Sequence, residues 1–327
     1  MASGSSDKMT SKPNTSRRIL LRVAYDGTHY HGWQVQPNAK TIEGELNRVL
    51  TQLTGEEIQV TGASRTDAGV HALGNVAVFD TASRIPAEKF SYALNQRLPE
   101  DIVIQSSVQV ADDFHPRHCD CRKTYEYDIL NRTFPLPAYR NTAYFLYGDL
   151  DLDAMRKACQ AFLGEHDFAS FCAAGAQVQT TVRTIYSLEV LEQPLGSNGR
   201  TEAQRSQQTP SDKAGLQETE KIETQPDREV PQQTETIELQ PGKARLQGPQ
   251  IQQVPERLLT IRVRGNGFLY NMVRIIAGTL VEVGRGHIRP EEIEEIIAAK
   301  DRAKAGPTAP ARGLRLVEIA YGESMPD

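Results

Sequence analysis

Apolar residues in this chain recur at two spacings, and the change from one to the other lays out the elements. Residues Arg17–Tyr25 form a largely apolar run that predicts a strand. After Thr41, placed as an N-cap, Ile42, Leu46, Val49, Leu50 and Leu53 recur at helical spacing. Strands are expected at 57–61 and 74–80, a helix from Pro86 at its first turn to about Arg97, and a strand of mixed polarity over Ile102–Val110. The order βαββαβ is that of a split βαβ, ferredoxin-like unit. The second half repeats the plan more loosely. Strands are expected at 123–130, near 143–146, and at 182–191, 257–264 and 314–320, with helices at about 151–163, 267–284 and 290–300. The expected fold class is therefore α+β: two ferredoxin-like-related units whose mainly antiparallel sheets lie side by side and leave a central cleft, a place ligands favour.

Composition sets the outer boundaries. Residues 1–16 are rich in Ser, Thr, Lys and Asn, and read as a disordered tail without the apolar core of a secretory signal. An N-terminal α+β unit over 17–112 and a C-terminal one over 113–321 follow, with a short tail at 322–327. Residues 193–255 interrupt the second unit between two strands. They hold thirteen Gln and no aromatic, Cys or His, too little apolar surface to offset the entropy of ordering. They read as a disordered insertion at a hairpin tip, tolerated surface length rather than a binding element.

The densest chemistry lies at residues 62–72, Gly-Ala-Ser-Arg-Thr-Asp-Ala-Gly-Val-His-Ala. Gly62 and Gly69 permit a turn after a strand, which displays Arg65 and Asp67 beside a cleft. The plain alternative is that Ser64, Thr66 and Asp67 only cap the turn. A second feature is Arg274, inside a run from Phe268 to Gly278 that is apolar nearly all round and so expected to be buried. A guanidinium there needs a carboxylate to meet it, and Asp67 across the cleft is the natural partner, unless Arg274 reaches solvent from a helix edge. A third is the alternating Lys123-Thr124-Tyr125-Glu126-Tyr127, which puts two tyrosines on one face without distinguishing them.

The 62–72 segment closely resembles the catalytic loop of the TruA family of tRNA pseudouridine synthases. Further matches follow in the family's order: Tyr25-Asp26-Gly27-Thr28 with Gly32-Trp33-Gln34 and Gln36, Phe114-His115-Pro116-Arg117, Lys123 to Tyr127, Gly164-Glu165-His166-Asp167-Phe168, and Asn271-Met272-Val273-Arg274-Ile275. Together they cover residues 17–192 and 256–321. The resemblance implies that Asp67 is the catalytic nucleophile or base, that Arg274 pairs with it, and that Tyr125 stacks on the target uracil. It associates Arg65 with base flipping. His71, Arg117 and Lys123 are also expected to contact RNA. The resemblance implies isomerisation of uridine to pseudouridine at positions 38 to 40 of the tRNA anticodon arm, by a cytoplasmic homodimer without metal or other cofactor. The 193–255 segment has no counterpart in the family pattern.

Charge and cysteine count modify this picture little. A formal net charge of −5 argues weakly against a nucleic-acid partner, yet His115, Arg117, His118, Arg122 and Lys123 crowd into a local basic stripe. Four cysteines are too few and too scattered for a disulfide framework, which fits a reducing compartment. His115, His118, Cys119 and Cys121 are spaced too tightly for a usual structural zinc site. Residues 268–283 are too short and too polar for a membrane span. Among other classes, a non-catalytic RNA-binding protein would carry an RNP1-like run and need no buried Arg274. A zinc nucleobase deaminase would need His-x-Glu with Pro-Cys-x-x-Cys, and a glycosidase a second acid beside Asp67. None of these is found in the sequence.

Overall fold

The computed structural model of the chain describes residues 16–175, 178–195 and 255–322. The expected tails, apart from residues 16 and 322, and the expected insertion, apart from residues 193–195 and 255, lie outside them; Gln193 and Pro194 end a strand. The described residues up to Pro194 and from 255 onward form one unit.

Its centre is a mixed sheet. The N-terminal part orders β4 (Ile102–Val110), β1 (Arg17–Tyr25) and β3 (His71–Thr81) as antiparallel neighbours, with the short β2 (Thr61–Gly62) on β3. The C-terminal part orders β10 (Leu314–Tyr321), β5 (Cys121–Asn131), β9 (Arg257–Gly265), β8 (Val182–Pro194) and β7 (Gly164–Asp167), again antiparallel, with β6 (Tyr144–Leu146) parallel to β5. The two parts are not separate sheets. They join where β10 pairs in parallel with β3, through Arg315 opposite His71 and Leu316 opposite Ala72. This short seam adjoins the end of the 62–72 segment, so whatever that segment displays sits where the two parts meet.

Helix α1 (Ile42–Thr54) starts where Thr41 accepts a hydrogen bond from the Gly44 amide, and it buries Ile42, Leu46, Val49 and Leu50. It packs against α2 (Phe90–Asn95), and α3 (Leu152–Cys159) packs against α4 (Met272–Gly284). The last helix, α5, spans Glu292–Ala299.

Several elements differ from expectation for local reasons. The strand expected at 57–61 pairs only at Thr61–Gly62, because the amides of Ile58 and Val60 donate to the side chains of Thr51 and Asn47 on α1. The Pro86 helix splits into a 3-10 turn (Ala87–Lys89) and α2, with Pro86 extended in front of it. Strand β7 was absent from the sequence pattern since Glu165, His166 and Asp167 offer no apolar alternation, and it pairs on one side only. Helix α4 begins at Met272 and not at 267, because Asn271 takes a left-handed conformation at φ 60° and stops the helix extending backward. That last difference moves Arg274 from mid-helix to the first turn.

Candidate active site

The 63–70 loop is held by backbone contacts with the stretch after β1. Trp33 donates from its amide to Thr66 O at 3.0 Å and Gly69 to Tyr30 O at 3.2 Å, while within the loop Val70 donates to Asp67 O at 3.1 Å. A Cβ at Gly27 would lie 2.0 Å from Val70 O, and one at Gly32, where φ is 90°, 2.7 Å from Thr66 O. Only glycine allows so close an approach at these two positions. Beneath the loop, the buried Tyr25 hydroxyl bonds Thr66 Oγ1 at 2.7 Å, while Asn75 Nδ2 donates to Ser64 O at 3.1 Å and to the Tyr25 hydroxyl at 3.2 Å. Asp67 is thus carried on a tightly braced loop.

Opposite stands Arg274. Its Nη1 lies 3.5 Å from Asp67 Oδ2, an ion pair rather than a well-formed hydrogen bond. The same Nη1 donates to Asn271 Oδ1 at 2.7 Å, and Nε donates to Ala309 O at 2.8 Å. The Arg274 and Asp67 side chains keep 17% and 23% of their exposure, so the pair is mostly shielded but open to the cleft. The expected meeting of these two residues is seen, although from a helix N-terminal turn. Burial pushes the Asp67 carboxyl above the usual aspartate range, and the attraction of Arg274 only partly opposes this.

Asp67, Arg65, Lys123, Tyr125, Phe268 and Tyr270 are among the residues lining a cleft of about 660 Å³. Structure separates the two tyrosines that periodicity left equal. Tyr125 borders the cleft, with its hydroxyl 2.9 Å from Ser64 Oγ and its ring set edge-on to Phe268 at 5.2 Å. Burial pushes its phenol up to about 12, so at neutral pH it is an uncharged ring with a hydroxyl. Tyr127 is fully buried, donates to Pro310 O at 2.8 Å, and packs so closely on Gly313 that a Cβ there would sit 2.7 Å from its ring. It belongs to the core.

Among the remaining candidates, Arg65, Arg117 and Lys123 line the cleft and His71 does not. Lys123 Nζ donates to Ala63 O at 2.8 Å and lies 3.4 Å from Ser64 Oγ, and burial pulls its ammonium below the usual lysine range. Arg117 is lowered by burial and by its neighbour Arg65. The two guanidiniums therefore share one positive wall. His71 is buried on the seam strand, its Nδ1 accepting from the Gly27 amide at 3.2 Å and lying 3.0 Å from Asp26 Oδ1, and its Nε2 facing Asn141 O at 2.8 Å. The imidazole thus links the Asp26 carboxylate and two backbone groups, outside the residues that line the cleft.

Residues that sequence reasoning passed over are Asn271 and Ala309, which grip Arg274, and Phe268, which backs Tyr125. The signal for Asn271 was available, since an asparagine just before an apolar helical run suits a left-handed turn. Ala309 contributes only a carbonyl and leaves no side-chain trace. Among the described residues, no group of three or more His, Cys, Asp or Glu forms a possible metal site, and no helix is long and apolar enough to cross a membrane. His115 and His118 stack at 3.9 Å without such a cluster.

A family profile described as tRNA pseudouridine synthase matches residues 22–118 and 158–322. A protein of Ruminiclostridium cellulolyticum named tRNA pseudouridine synthase A is 42% identical over 305 residues, covering 93% of this chain and 100% of its own length. Proteins of the same name from Thermoanaerobacter sp. and Brevibacillus brevis are each 40% identical over 305 residues, with the same coverage.

Proposed function

The chain belongs to the tRNA pseudouridine synthase family, and from that premise we propose that it isomerises uridine to pseudouridine in tRNA with the Asp67 carboxylate as the reacting group. The observation that carries the assignment of Asp67 is the ion pair with Arg274 at 3.5 Å, set in the cleft beside Tyr125. In the isomerisation the N1–C1′ bond breaks, the uracil turns, and C5 bonds to C1′. The proton on C5 leaves and one is gained at N1, so no net electrons are transferred and the reaction calls for no redox partner. An ionised carboxylate serves this sequence either by attacking the sugar or by taking a proton from it.

The residues around Asp67 suit those steps. Arg274 stabilises the anion that burial disfavours. Tyr125 offers the uracil a stacking surface, and its neutral phenol adds no charge to repel the carboxylate. Arg65, exposed on the same loop, is placed to occupy the gap left by a flipped base, and Arg117 and Lys123 to meet backbone phosphate. We extend the same reading to uridines 38 to 40 of the anticodon arm, to a homodimer acting in the cytoplasm, and to a division into related halves at 17–112 and 113–321. Family membership supports these finer points.

The test is Asp67→Asn, which keeps size and hydrogen-bonding capacity but removes the anion. We expect it to bind tRNA at fixed salt and to release no tritium from [5-³H]uridine-labelled tRNA when wild-type turnover is complete. An asparagine is a good turn residue, so full activity in this variant would reduce Asp67 to a cap and overturn the reading. Wild-type protein that binds tRNA without forming pseudouridine would favour a non-catalytic binder.

A further inference from the structure

Asn271 sits at the N-cap of α4, yet it does not act as a cap. An N-cap residue ordinarily has extended backbone, and its side chain accepts from an amide in the first turn. Asn271 is instead left-handed, at φ 60° and ψ 7°, and makes no side-chain capping bond. Its carbonyl still takes the first helical bond, from the Ile275 amide at 2.9 Å. Its side chain is turned to Arg274, accepting from Nη1 at 2.7 Å. A non-glycine residue pays for this backbone conformation, and such conformations collect where a side chain must be aimed.

The second acceptor on Arg274 is built into the fold. Ala309 O takes the Nε proton at 2.8 Å, while the Ala309 amide donates to Arg274 O at 3.1 Å. This segment is pressed against α4 through small residues. A Cβ at Gly278 would lie 1.8 Å from Pro307 O, one at Gly306 would lie 2.6 Å from Thr279 Cα, and the Gly306 amide donates to Thr279 Oγ1 at 2.9 Å. The Arg274 fork is therefore held by one rigid carbonyl and one side chain. Both acceptors are neutral, so they fix the guanidinium without cancelling its charge.

We propose that Asn271 is a positioning residue for the reaction: its side-chain carbonyl, together with Ala309 O, holds the Arg274 guanidinium in the orientation from which it faces Asp67. The inference rests on the reading of Asp67 as the reacting group. Charge matters as much as geometry here. An aspartate at 271 would accept the same bond but place a second anion on Arg274, in competition with Asp67. The other titratable or charged groups lining this cleft are Tyr125 and Lys123 from β5, Arg65 from the Asp67 loop, Arg117 from the segment before β5, Tyr270 beside Asn271, and His31. None of these stands between Asn271 and Arg274, which are in direct contact.

Two substitutions in the full-length protein separate positioning from support. Asn271→Gly suits the left-handed backbone and removes only the acceptor. Asn271→Asp keeps an acceptor and adds charge. The readouts are the single-turnover rate at saturating tRNA as a function of pH, tRNA affinity at fixed salt, and the thermal midpoint. For Asn271→Gly we expect a rate loss on the order of tenfold, as for other small misplacements of a reacting pair. Its tRNA affinity and thermal midpoint should be unchanged, and the acid limb of the rate should move to higher pH. Asn271→Asp should move that limb further in the same direction. Wild-type rate and acid limb in both variants would overturn the proposal, as would a rate loss with the limb unmoved in both, the pattern of a merely structural residue. Asp67→Asn in the same assay keeps the premises apart: turnover by that variant defeats the reading of Asp67, whereas its inactivity alongside wild-type behaviour at 271 defeats only this one.

Discussion

Strand β5 separates two groupings of arginine and carboxylate that are built in opposite ways. On one face Tyr125 borders the cleft lined by Asp67, the partner of Arg274; on the other, Glu126 and Asp128 meet Arg262 and Arg315. The second grouping is saturated. Glu126 receives Arg262 Nε at 2.8 Å and Arg315 Nε at 3.0 Å, while Asp128 takes Thr260 Oγ1 at 2.7 Å and a close Arg315 Nη1. Burial alone would raise Glu126, but its bonds to the two arginines hold its carboxyl below the usual range. In the cleft, the well-formed bonds of Arg274 go to neutral oxygens, and Asp67 receives only the longer contact at 3.5 Å. Both Asp67 and Asp128 are raised by burial, so elevation does not distinguish them. What does is spare capacity: Asp128 has its acceptor sites filled from two sides, and Asp67 retains oxygen facing an open cleft. A carboxylate intended for structure is satisfied, whereas one intended for chemistry is left reachable.

The contrast is broken most forcefully at its two arginines. Arg274→Ala should cut turnover by about 10² to 10³, the scale for loss of one preorganised electrostatic group, while tRNA binding persists. Arg274→Lys should recover only part of this, because an ammonium cannot hold the planar fork between Asn271 and Ala309. A tritium-release assay under single turnover reads both. Near wild-type turnover in Arg274→Ala would remove the functional half of the contrast.

Arg315→Ala should do the reverse. It leaves Glu126 with Arg262 alone and Asp128 with only the Thr260 hydroxyl. These carboxylates are 7% and 5% exposed, so the loss should cost on the order of 3 kcal/mol in urea unfolding, with activity per folded molecule retained. A variant of unchanged stability but lost activity would show that the network on this face reaches the chemistry.

Tyr125→Phe sharpens the comparison with a smaller effect. It removes the bond to Ser64 Oγ but keeps the ring, so it should cost about 1 kcal/mol of stability and leave most of the rate. Tyr125→Ala in parallel should lose far more. Equal losses in the two would mean that the hydroxyl, not the ring, is what the reaction uses.

Much of this was legible in the chain, and its limits are physical. Arg17–Tyr25 and Ile102–Val110 matched their strands because their patterns coincide with what the sheet buries, and Thr41 capped α1 as expected. The pairing of Asp67 with Arg274 followed from the cost of burying an unpaired guanidinium. The start of α4 was misjudged because the apolar run continues through Phe268 and Leu269, which pack without being helical, and one left-handed residue sets the boundary. The surroundings of His71 were not legible because an imidazole within a reactive motif looks the same in sequence whether it lines a cleft or links a carboxylate and two backbone groups. The seam between β3 and β10 joins residues some 240 positions apart, a pairing no local pattern encodes. The saturated network on β5 likewise depends on registers that only the assembled sheet defines.

The claim at the centre of this account is that Asp67 is a shielded and incompletely paired carboxylate that reacts in its ionised form. Carbon-13 NMR of the side-chain carboxyl, assigned by the signal missing in Asp67→Asn, measures that directly. The account predicts a titration midpoint above the ordinary aspartate range, moved higher still in Arg274→Lys, with the single-turnover rate falling as pH drops through the same midpoint. A midpoint at or below the ordinary range, or a rate that ignores the titration, would contradict it.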